Sequence, residues 1–168
     1  MRISTKMVFC LSIAVFLIVF CEKKSPDLKF SQFNQKFFAK YVPEFPGARL
    51  LTKNDLPQNQ QQYFDEADGK LQLLIDINQN GIPEYIICGV SDSMLYHQQK
   101  GAYFLAIFEQ TENGIEKRYL QKLALIPVNI LPSENKERPG VILSFAFSSD
   151  YAAEIYFEDN EYKLEKWF

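Results

Sequence analysis

Two strand-like apolar runs, residues 71–75 and 85–90, flank the stretch Asp76-Ile77-Asn78-Gln79-Asn80-Gly81-Ile82-Pro83-Glu84. Oxygen-bearing side chains fall at positions 1, 3, 5 and 9 of this stretch, with a glycine at position 6. Such alternation lets a short segment curl and aim several oxygens at one point, as a hard cation such as calcium requires. Asp76, Asn78 and Asn80 would offer side-chain oxygens, Ile82 its backbone carbonyl, and Glu84 a closing carboxylate. Gly81 permits the backbone conformation of a sharp turn. Ile77 and Ile82 are expected to face inward and pin the loop on the core. The same residues can instead make a plain turn whose polar groups are satisfied by Asx hydrogen bonds. Either way, a tight excursion joins two strands.

The rest of the chain from about residue 62 carries the same signature of strands and turns. Residues 62–64, 71–76, 84–90, 102–110, 115–125, 128–131, 141–148, 152–158 and 162–167 read as strands. Glu112-Asn113-Gly114 is a hairpin signal, and Asp159-Asn160 is a second turn. Pro127 and Pro132 confine residues 128–131 to a sheet edge. Before these strands, Phe30, Phe33, Phe37 and Tyr41 recur at helical spacing, with Leu28 and Phe38 near the same stripe. Ser25 and Pro26 supply a start signal and Pro43 a stop, giving an amphipathic helix over about residues 27–42. Its aromatic stripe packs on the domain or, in a sharper reading, lies on a membrane surface. A short extended piece at 48–52 and a polar tract at 58–62 fill the connection. The expected fold is mainly β: an antiparallel meander of about 7–8 strands, blade-like or sandwich-like, after one helix.

The first residues are an address. Arg2 and Lys6 precede an apolar run from Met7 to Phe20, interrupted only by Ser12, and no acid occurs before Glu22. At 14 residues (20 less 6) the run is short for a bilayer span and suits a signal segment. Residues 1–20 are therefore expected to be removed, leaving 148 residues (168 less 20). Residues 27–168 would then form one domain. Losing Arg2 and Lys6 moves the formal net charge from −3 to −5. An acidic surface of this kind argues against nucleic acid as a partner.

Leu17-Ile18-Val19-Phe20-Cys21 resembles the lipobox of bacterial lipoproteins, with Phe20 where a small residue is usual. The resemblance implies lipidation of Cys21, with residues 21–26 as a polar tether. It implies a membrane partner through that anchor, and a place in the bacterial cell envelope. The loop at 76–84 resembles the strand–loop–strand calcium site of FG-GAP/VCBS-type repeats, found in integrin-like β-propellers and bacterial surface proteins. Their pattern is Asp, apolar, Asp or Asn, any, Asp or Asn, Gly, apolar, any, Asp or Glu, and all nine positions fit. An EF-hand is the poorer match, since it needs flanking helices and a glutamate at position 12. The chain holds one copy, whereas a propeller needs at least four blades. The ligand set implied is Asp76, Asn78, Asn80, Ile82 and Glu84. With two anionic members it would bind calcium weakly, roughly 10⁻⁴–10⁻³ M, as extracellular modules do.

Signals for catalysis are few. His97 is the one histidine of the chain, no G-x-S-x-G occurs, and a glycine-rich phosphate loop is missing. Cys88 lies in an apolar run and reads as a buried, inert thiol. No catalytic residue is assigned. Two classes stay open: a non-catalytic, surface-tethered binding or interaction module with an envelope or extracellular protein partner, and a periplasmic carboxylate-dependent hydrolase or enzyme accessory subunit. Two acids in one pocket would favour the second.

Overall fold

The computed structural model describes residues 28–96, 99–145 and 151–167. The expected signal segment, Cys21, the Ser25-Pro26 start signal, His97 and residues 146–148 of the expected strand at 141–148 lie outside them. Among the described residues, a 3₁₀ turn at Phe30–Gln32 precedes helix α1 (Gln35–Tyr41) and strand β1 (Ala48–Leu50). A second 3₁₀ turn, Lys53–Asp55, leads into α2 (Gln58–Glu66). Eight strands follow: β2 (Gln72–Ile75), β3 (Glu84–Tyr96), β4 (Gln99–Thr111), β5 (Gly114–Leu123), β6 (Pro127–Pro132), β7 (Gly140–Phe145), β8 (Ala152–Glu158) and β9 (Glu161–Trp167). All pairing is antiparallel, so the mainly β meander class is what the chain adopts.

The strands form two sheets. One runs β3-β4-β5, with β1 and β2 sharing the free edge of β3 end to end. Leu50 pairs with Gly89, and Gln72 takes over the same edge at Ile87. The other sheet is the meander β6-β7-β8-β9. Ile86, Cys88, Leu105 and Ile107 of the first sheet share one core with Val128, Ile130, Val141, Leu143 and Ile155 of the second. The opposite face of the first sheet, carrying Tyr85, Ile87, Phe104, Ala106 and Phe108, is covered by Phe33, Phe38, Val42 and Phe45. Both faces of β3 and β4 are thus buried, which is why these strands read as continuous apolar runs without polar alternation. Cys88 is fully buried and its thiol pKa is pushed up by desolvation, as an inert core thiol requires. Gly89 faces Phe104 across the ladder, and a Cβ there would sit 2.1 Å from the ring. The glycine leaves room for that ring to lie flat on the sheet.

Three local readings are corrected. The expected helix over 27–42 is a 3₁₀ turn followed by the shorter α1. Asn34 breaks the run because its Oδ1 accepts the amides of Lys36 and Phe37, making it an N-cap. The aromatic stripe packs on the sheet: Phe33 and Phe38 are buried, and the Tyr85 hydroxyl donates to the Leu28 carbonyl at 2.7 Å. Residues 62–64, expected as a strand, belong to α2, which also takes up the polar tract. Gln and Glu are good helix formers, Gln62 donates to Glu66 one turn on, and Phe64 packs against the shared core. Finally, residues 48–50, expected only as a short extended piece, join the sheet as β1, so that nine strands form among the described residues.

Candidate functional site

The Ile75–Glu84 pair closes the β2–β3 hairpin, and the oxygen-rich loop lies between its two members. Gln79 and Gly81 adopt positive φ of 58° and 87°, which turns the chain sharply. Asp76 accepts the amides of Asn80 at 3.1 Å and Gly81 at 2.8 Å, one on each carboxylate oxygen. The Asn78 and Asn80 side-chain oxygens accept the amides two residues on, at 3.0 and 2.7 Å. Glu84 folds back to accept the Ile77 amide at 2.8 Å. Ile77 is buried as expected. Ile82 is not: it is 39% exposed, directly after the positive-φ turn at Gly81.

Glu84 points between the sheets and is fully buried. Directly opposite it on β4 stands Glu109, 3% exposed. Like charges in this position repel, and each carboxylate is held by its own donors. Glu109 accepts Asn80 Nδ2 and Arg118 Nε, both at 2.5 Å. Glu84 accepts the Tyr162 hydroxyl at 2.7 Å, and that hydroxyl in turn accepts Asn78 Nδ2 at 3.2 Å. Burial, with the nearby charge of Asp76, raises the Glu84 pKa against the opposing pull of these hydrogen bonds. Burial and donation to Glu84 also raise the Tyr162 pKa, so its hydroxyl keeps its proton.

Asn78, Asn80, Glu109, Arg118 and Tyr162 line part of a cleft of about 510 Å³ at one end of the sheet pair. A bulge in β5 helps shape it. The β4–β5 register shifts between Ile107 and Phe108, so that the neighbours Arg118 and Tyr119 both reach the cleft. From the other sheet come Phe157 and the β8–β9 turn, where Asp159 and Asn160 have φ of 53° and 68°. Phe157 meets the Tyr162 ring edge-on at 5.0 Å, and Tyr119 lies 6.3 Å from it.

Of the residues expected at the site, Asp76, Asn78, Asn80 and Glu84 each accept backbone amides of the same loop. Among the described residues, no three His, Cys, Asp or Glu side chains gather as a metal cluster. Glu109, Arg118 and Tyr162 complete the polar network and were not legible as site residues. The one local hint was an acid at the start of the run at 84–90 and another near the end of that at 102–110. No protein-family model, curated protein or solved structure matches this chain.

Proposed function

We propose that the chain is a non-catalytic cell-envelope lipoprotein: a binding module tethered through Cys21, with the loop at 76–84 as a weak structural calcium site. The observation that carries the calcium reading is the curl of the loop: bent at Gln79 and Gly81, it folds the side-chain oxygens of Asp76, Asn78, Asn80 and Glu84 back onto its own amides. A cation held among them would be neutralised by Asp76 and Glu84. The donor set fits. Each loop oxygen accepts one hydrogen bond and keeps a lone pair for a metal. Asp76, Asn78, Asn80, the Ile82 carbonyl and Glu84 would hold the ion. Calcium would supply charge neutralisation and loop rigidity, and no reaction step.

The test is thermal unfolding of the full-length chain during calcium titration in detergent. Calcium at ten times its dissociation constant should add about 1.4 kcal/mol, a rise of roughly 3–6 °C. Asp76→Ala should abolish the rise. No shift at millimolar calcium would leave the loop as an Asx turn.

A second reading, the carboxylate-dependent hydrolase or its accessory, draws support from Glu84 facing Glu109 beside the cleft. Its weakness is access. Glu84 is fully buried beneath Tyr162, and Glu109 is engaged by Arg118 and Asn80. Glu84 does not reach the cleft lining, and Glu109, which does, is held as the partner of Arg118 and Asn80.

A further inference from the structure

We infer that the cleft between the sheet ends binds a saccharide. This deepens the binding-module reading and rests on it. A sugar ring presents an apolar C–H face and a rim of hydroxyl groups that both donate and accept. It therefore fits a site that offers both aromatic surface and planar polar groups.

The cleft has both. Tyr119, Phe157 and Tyr162 are half-buried and line it. Their mutual edge-on or tilted packing, at 5.0 Å and 6.3 Å, fixes them in place. The lining also includes Asn78, Asn80, Glu109 and Arg118. These groups are already ordered by the hydrogen bonds among Asn80, Glu109 and Arg118 and between Asn78 and Tyr162. A ligand would meet them without first ordering them, which lowers the entropic cost of binding. Asn160 and Glu161 are exposed at the rim, on a turn whose positive φ values hold them there.

Charge narrows the ligand class. Glu109 and Arg118 neutralise each other across 2.5 Å, which leaves Glu161 as the net charge among the lining groups. An anion finds no unpaired cation, and an apolar ligand would strand the polar groups. A neutral ligand rich in hydroxyl or acetamido groups satisfies both kinds of lining. The volume, about 510 Å³, is within the range of small-molecule sites and suits a short oligosaccharide.

The experiment is calorimetry on the full-length chain in a detergent without a sugar headgroup. The probes are a short N-acetylhexosamine oligomer and a neutral hexose oligomer, each run with calcium and with chelator. Saturable binding of at least one probe is expected. Phe157→Leu, which keeps an apolar side chain but loses the ring, should weaken it about tenfold. Glu161→Gln, at an exposed position, should weaken it about threefold. Lys36→Ala, exposed on α1 and so on the face of the first sheet turned away from the cleft, should leave it unchanged. Binding of neither probe under both conditions would overturn the inference, as would binding indifferent to both cleft variants. Calcium-dependent unfolding without added sugar is read on the same samples, so failure of the calcium site and failure of the saccharide site are separate results.

Discussion

Glu84 and Glu109 place two carboxylates face to face inside the protein, and the fold tolerates this because each has dedicated donors. Burial raises the Glu84 pKa, with Asp76 adding like charge from the loop. Its folded pKa is raised, so its contribution to stability is complete below the ordinary value of 4.5 and is lost as pH rises through the raised value. Measured in chelator, the stability of the native protein relative to Glu84→Gln should therefore fall as the pH rises above 4.5. A pH-independent difference in urea unfolding would mean that Glu84 titrates alike in the folded and unfolded states. At this scale the loop residues were legible because their geometry is local. Asp76, Asn78 and Asn80 bond to amides within five positions of themselves, so spacing alone locates them. Glu109 and Tyr162 reach Glu84 only through strand register and sheet packing, which no local spacing encodes.

At the scale of elements, Asn34 decides where the N-terminal helix begins. It satisfies two orphan amides of α1, and α1 carries Phe38, fully buried, onto the Phe104 and Phe108 face of the sheet. Asn34→Ala should cost about 1 kcal/mol, read as a lower urea midpoint with unchanged slope. No change would show that the aromatic packing alone fixes the helix start. The sequence pattern misplaced this boundary because Asn34 also suits the polar face of a longer helix. It hid α2 for a different reason: residues 58–62 have no apolar period, and Tyr63-Phe64 has the aromatic character of a strand. The pairs β3–β4 and β4–β5 were easier, since long apolar runs bounded by turns leave few alternatives. What the runs could not show was that both faces of β3 and β4 are covered, one by the second sheet and one by α1 and its neighbours.

For the whole molecule, the two sheets and the helical layer make three tiers, and the cleft opens where the two sheets end. The anchoring reading belongs to this scale. Cells making the full chain should incorporate labelled palmitate into it, and Cys21→Ala should abolish the label. Label retained in the variant, or absent from the native chain, would rule out lipidation at Cys21. If Cys21 is the anchor, the order of the fold sets a leash. Leu28 is fastened by Tyr85, the immediate neighbour of Glu84, at the same end of β3 as the oxygen-rich loop. Seven residue steps separate Cys21 from Leu28 (28 less 21), which span at most about 25 Å when fully extended. The cleft end of the protein would thus stay within a short reach of the bilayer surface, and a ligand would have to be met there rather than captured far out in the surrounding fluid.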